Sequence, residues 1–269
     1  MSSRVYTWAR SLRRDRGTSL GTRLHEASQS ARHMVGRLAL TDVDAELHDI
    51  DGNRAEPAKP LAELVRHEEA KLVQRVFLSP ASDAPRTVLF AGVDHDNGSA
   101  HVCLRVGHAL TRLTPRSVCV VDADLRAPKL QTLVGADAGE GLAEAIAHPE
   151  AASSFARRLA PENLWLVAAG SANELDSLVS VDRMSACLTT LATRFEHVVI
   201  NAPAIDLWAE SMAVSRLVDG VVLVLRAHVT RREIVRHVMA RLEDFDTPLL
   251  GIVLNDRTFP IPEAVYRLI

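Results

Sequence analysis

Six short apolar runs, at 87–93, 117–123, 163–170, 197–201, 220–226 and 249–255, punctuate this chain from residue 87 onward. Between them lie stretches of helical spacing at 98–113, 141–148, 178–195, 206–217 and 230–245. Strands that are apolar throughout, rather than in alternation, are buried on both faces. Separated by helices, they specify an α/β fold with a mostly parallel sheet and helices on both faces. Sheets of this kind bind ligands beyond the carboxyl ends of their strands. The polar residues of interest are therefore those that follow Val93, together with Asp122, Asn201 and Asn255, each at a strand end.

The chain has 269 residues with 47% apolar content, enough to bury one full α/β core. Its organisation reads as an N-terminal extension and linker over 1–60 and one domain over 61–269. A net charge of −3 gives no electrostatic reason to expect a nucleic-acid partner. Cys103, Cys119 and Cys187 sit in apolar surroundings without metal-ligand spacing, as buried thiols of a reducing compartment do. No run approaches the ~18 apolar residues of a membrane span. No secretory segment follows Met1. The expectation is a cytoplasmic protein, peripheral to the membrane at most.

Residues 1–37 carry eight arginines against Asp15 and Glu26, and an acidic stretch follows at 42–51. Val5, Trp8 and Leu12 have helical spacing among Arg4, Arg10, Arg13 and Arg14. That pattern suits a segment lying on an anionic surface or docking a partner, or equally a solvated tail. Leu61, Leu64, Val65, Leu72, Val73 and Val76 mark one face of a helix that ends near Ser79-Pro80.

The first apolar run leads into TVLFAGVDHDNGSAH: a strand, a polar turn ending at Gly98, then a helix. This is the layout of a phosphate-binding P-loop, in which Lys and then Ser or Thr follow the glycine. Ser99 and Ala100 stand there instead. The second strand ends in VVDADLRAP, with Asp122 and Asp124 two residues apart. Such a carboxylate pair is suited to holding Mg²⁺ or orienting an attacking group.

VCVVDADLRAPKLQTLVG, LVSVDRM, FEHVVINAPAI and DGVVLVLRAHVTRR…LLGIVLN follow one another in that order. Together, across about 61–256, they resemble the cytoplasmic domain of bacterial tyrosine kinases (BY-kinases) of capsule and exopolysaccharide synthesis, relatives of the partitioning ATPases. The resemblance implies a P-loop NTPase-like sheet and a nucleotide site for ATP or ADP with Mg. Gly98, Ser99, Ala100, Asn201 and Asn255 would be its cofactor-binding positions, and Asp122 and Asp124 its catalytic and metal-binding pair. A membrane-embedded polysaccharide chain-length or export activator would be the partner, and a homo-oligomer the assembly.

The departures are specific. Ser99 replaces the phosphate lysine, Ala100 the metal-binding hydroxyl and Asn201 the Walker B carboxylate, while Asp94 stands where the partitioning branch has a further lysine. The family's C-terminal tyrosine cluster is reduced to Tyr266. Its ExxRxxR assembly motif keeps Glu69 and Arg75 but has Leu72 in the middle; these two are an interface remnant or simply exposed helix charges. His95, His101 and His108 crowd the loop and its helix, but i,i+7 spans about 10 Å, too far for one ion. These substitutions lead to the expectation of a regulatory or scaffolding relative with weak or no ATP turnover. Two alternatives stand beside it. One is an active kinase or ATPase that recruits another cation, such as Lys129; the other is a partitioning-type switch.

Overall fold

The computed structural model describes residues 4–6, 59–78, 84–95, 97–137, 139–159, 163–171 and 180–255. Its elements run in the order β1 (Arg4–Tyr6), α1 (Lys59–Val76), β2 (Thr87–Gly92), α2 (Ser99–Leu113), β3 (Val118–Asp122), α3 (Leu130–Leu133) and α4 (Leu142–Ala147). A 3₁₀ turn at Pro149–Phe155 follows, then β4 (Arg157–Leu159), β5 (Leu164–Val167), α5 (Val181–Arg194), β6 (His197–Ala202), α6 (Ala209–Ser215), β7 (Gly220–Arg226), α7 (Arg232–Asp244) and β8 (Leu249–Asn255).

The strands form one sheet in the order β1-β8-β7-β2-β6-β3-β5-β4. The six inner strands are parallel, and β1 and β4 pair antiparallel at the two edges. These inner six are the apolar runs of the sequence. Val5, read above at helical spacing, lies instead in a strand opposite Val253. Three residues of extended chain recover backbone hydrogen bonds on the open edge of β8 that no helix of that length supplies. Trp8, Leu12, the acidic linker and Tyr266 lie outside the described residues.

Strand periodicity divides the core into two layers. Val88 and Phe90 of β2, with Val118 and Val120 of β3, face α1 and α2, where Leu72, Val73, Phe77, Val106 and Leu110 meet them. Leu89 and Ala91, with Cys119 and Val121, face the opposite layer, built from Leu142 and Ile146 of α4, Leu188 and Leu191 of α5, and Val238 of α7. Each fully buried aliphatic side chain of this kind contributes about 1.5–3 kcal/mol. Cys103, Cys119 and Cys187 are buried in these layers. Burial pushes the Cys187 thiol up to about 12 and the other two up as well, so all three stay protonated packing groups.

β2 lies between β6 and β7, and β6 between β2 and β3. The chain leaves β2 toward one face and returns through β6 from the other. The crevice at the carboxyl ends of β2, β3 and β6 is where such a sheet places its ligands.

Candidate nucleotide site at the strand ends

The turn after β2 is built around two glycines. Gly98 caps α2 with φ 80°, a left-handed conformation that other residues adopt at a cost. Gly92 ends β2 with Asn97 folded directly over its Cα; a Cβ at Gly92 would fall 1.5 Å from the Asn97 amide nitrogen. Asn97 is 6% exposed. Its Oδ1 accepts from the Ser99 backbone N–H at 2.9 Å, and its Nδ2 donates to the Asp94 carbonyl. The Asn97 carbonyl in turn accepts from Asn255 Nδ2 at 3.0 Å. The side chain of the last strand's final residue thus ties down the loop.

Asp94 is held from the other side. Thr230 Oγ1 donates to its Oδ2 at 2.9 Å while accepting from the Arg226 backbone N–H at 2.9 Å. The other carboxylate oxygen, Oδ1, is buried without a hydrogen-bond partner among the described residues.

Deeper in the crevice three residues form a relay across neighbouring elements. Ser99 Oγ donates to Asn201 Oδ1 at 2.8 Å, and Asn201 Nδ2 donates to Asp122 Oδ1 at 2.8 Å. Asp122 and Asn201 are register partners at the ends of β3 and β6, which is why their side chains meet. Asp122 is fully buried. Besides Asn201, it accepts from the backbone N–H groups of Asp124 at 3.2 Å, Lys129 at 3.0 Å and Leu130 at 2.9 Å. Burial pushes its carboxyl above the usual range, against the pull of these four donors. Asp124 is half-buried and accepts from Ala127 N at 3.0 Å; burial raises it too, opposed by N–H groups and by the charges of Lys129 and Arg126. Both acids therefore shape the 122–130 turn.

The structure thus brings Gly98, Ser99, Asn201, Asp122 and Asn255 into one connected set. Ala100 is buried beside them in the first turn of α2. His95 and His101 are exposed. Glu69 is neither an exposed charge nor presented outward: Arg105 of α2 grips it with Nε and Nη2, and Arg112 approaches at 3.4 Å. The exposed-charge expectation fails for Glu69 because two arginines seven residues apart on α2 share the face that α1 covers.

Asn97 and Thr230 were not singled out from the sequence. An Asn-Gly pair in a polar turn reads as ordinary turn chemistry, and only the glycine five residues earlier hints that a side chain folds back. The same holds for a small open pocket of about 50 Å³ beside the crevice, walled by Leu125, Met184, Pro203 and Leu217. At its rim Arg126 pairs with Glu210 and stacks over the Trp208 ring at 4.1 Å.

No protein-family model matches the chain. Among characterised proteins it is 24% identical over 170 residues to the tyrosine-protein kinase Wzc of Salmonella typhi, covering 62% of this chain and 23% of that protein. It is 24% identical over 137 residues to the putative tyrosine-protein kinase CapB of Staphylococcus aureus, covering 51% and 60%. The chain thus spans about a quarter of Wzc and three fifths of CapB. In three dimensions it matches the kinase domain of the Escherichia coli tyrosine kinase Etk with a TM-score of 0.66 at 18% identity, covering 84% of this chain and 92% of that one. A ParA family ATPase from Chlorobium tepidum matches at 0.52 and 16% identity, covering 62% and 71%. The chain is a homologue of bacterial tyrosine kinases, built on the fold that their kinase domains share with ParA- and MinD-like P-loop ATPases.

Proposed function

We propose that this protein is a regulatory or scaffolding member of the BY-kinase group, acting in exopolysaccharide or capsule synthesis or export with weak or no ATP turnover. The observation that carries the reading is the relay Ser99–Asn201–Asp122. At the three positions where the family places a cation, a metal-binding acid and its partner acid, this chain has side chains that satisfy one another. A hydroxyl and a carboxamide stabilise one buried carboxylate; they offer no positive charge to a phosphate and no open oxygen pair to a metal. Phosphoryl transfer depends on neutralising charge at the transferred group.

The residues present do not fit a magnesium-bound triphosphate. Asp122 uses both oxygens on protein donors, Asn97 fills the bend of the loop, and Asp94 adds negative charge at its start. Losing even one charge-assisted hydrogen bond of about 1.5–3 kcal/mol weakens binding roughly 10–100-fold. Lys129, the cation an active alternative would recruit, is exposed, and its charge bears on Asp124.

On this reading the retained role is a surface for a membrane-embedded chain-length or export component, with self-assembly on the same scaffold. Among the described residues no helix is long and apolar enough to cross a membrane. The test is incubation of the purified chain with ATP and Mg²⁺, following ADP release and phosphotyrosine formation. No turnover above a boiled control is expected. Turnover at a rate comparable to an active family kinase, abolished by Lys129→Met, would establish the active alternative instead.

A further inference from the structure

We infer that Asn97 is a built-in occupant of the loop between β2 and α2, and that its carboxamide, rather than the missing lysine alone, closes this loop to phosphate. The inference rests on reading the loop as an anion cradle by descent. Three independent features of the residue carry it. Asn97 is 6% exposed although it lies in a polar turn at a crevice mouth, so the side chain points inward. It lies over Gly92 at a distance that no Cβ tolerates, so strand end and side chain fit as a pair. Its oxygen takes the Ser99 N–H at 2.9 Å, the backbone donor of the first residue of α2.

The geometry is that of a ligand oxygen supplied from within. A strand-loop-helix turn holds anions with backbone N–H groups converging at the helix start, strengthened by the helix dipole. The neutral Asn97 Oδ1 satisfies one such donor, and Nδ2 closes the bend by donating to the Asp94 carbonyl. Asn255 secures the arrangement through the Asn97 main-chain carbonyl, a contact that does not depend on the Asn97 side chain. Removing the carboxamide leaves the tether and empties the bend.

The test uses the full chain and inorganic pyrophosphate as probe, titrated calorimetrically at low ionic strength without metal. Asn97→Ala is expected to bind pyrophosphate about tenfold tighter than the unaltered chain, the equivalent of regaining one hydrogen bond to a charged group. Asn97→Asp keeps an acceptor for Ser99 and adds a negative charge, so it is expected to bind no better than the unaltered chain. A folded Asn97→Ala variant with unchanged affinity would overturn the inference. So would an unaltered chain that already binds as tightly as the variant.

A second readout needs no variant that folds. In ¹⁵N spectra of the unaltered chain, the Asn97 side-chain amide is expected to stay protected and unshifted as pyrophosphate is added; its displacement would also overturn the inference. The outcomes separate from those of the functional proposal. ATP turnover by the unaltered chain defeats the scaffold reading, whereas an inert chain whose Asn97→Ala variant gains nothing defeats only the role of Asn97.

Discussion

Asn201 donates its Nδ2 hydrogen to Asp122 Oδ1 across 2.8 Å, at paired positions on adjacent parallel strands. Replacing Asn201 by Asp sets two carboxylates face to face in a buried crevice, where both cannot ionise cheaply. The pair's folded pKa then lies above the unfolded value of about 3.9. Stability is kept below that unfolded value and lost as pH rises through the raised folded one. Urea unfolding of Asn201→Asp is expected to show a deficit that grows between pH 4.5 and 7.5 to about 2 kcal/mol or more. A deficit independent of pH would mean the two side chains do not face one another.

Gly98 carries a left-handed φ of 80°, and a Cβ there would lie 2.2 Å from Asn255 Nδ2. Gly98→Ala therefore combines backbone strain of about 1–2 kcal/mol with a collision. Only the collision is relieved by shortening Asn255. A double-mutant cycle should show Gly98→Ala costing about 1 kcal/mol less in an Asn255→Ala background. Strict additivity would place the Asn255 side chain elsewhere.

Glu69 on α1 is gripped by Arg105 of α2 and is 14% exposed on its side chain, against 48% for Arg112. Glu69→Ala should lower unfolding stability by about 1–2 kcal/mol, since it removes a forked, half-desolvated pair. Arg112→Ala should change it by less than about 0.5 kcal/mol, as exposed pairs do. Equal effects in guanidinium-free, urea-based measurements would contradict this ranking.

Glu144 closes the start of α4 by accepting from Gly141 N at 2.7 Å and from Ser171 N at 3.0 Å. Burial works to raise its carboxyl, but these N–H groups outweigh it and hold the group below its usual value. A depressed folded pKa gives stability that is present above the unfolded value and lost as pH falls through the folded one. Glu144→Gln should therefore melt lower than the unaltered chain at pH 7 and no differently near pH 2. A gap that persists in acid would assign the loss to packing.

The inner strands were legible because β2, β3, β5, β6, β7 and β8 are apolar on both faces, a pattern few other elements share. The strand-end residues followed from the rule that such sheets carry ligands beyond their carboxyl ends, whereas the meeting of Asp122 and Asn201 is set by the β3–β6 register. What sequence did not reveal depends on long-range placement. Arg157–Leu159 is a strand only because β5 lies beside it, and its exposed Arg157 and Arg158 carry no strand signature. Arg105 and Arg112 share a helix face by spacing, yet nothing local says that Glu69 of another helix lies over it. Asn97 escaped notice because its role is set by a contact with a glycine that has no side chain to advertise it.

The two antiparallel edge strands bear on how this protein behaves in a crowded cell. An open parallel sheet ends in two rows of unpaired backbone groups, a template on which any extended chain can polymerise. Here each row is covered by a strand of three residues, β1 and β4, too short to seed another strand of useful length. Arg157 and Arg158 of β4 are exposed, so like copies repel where they would otherwise stack on that edge. The sheet is thereby terminated rather than extended. Among the described residues, growth by strand addition is disfavoured at both ends of the sheet.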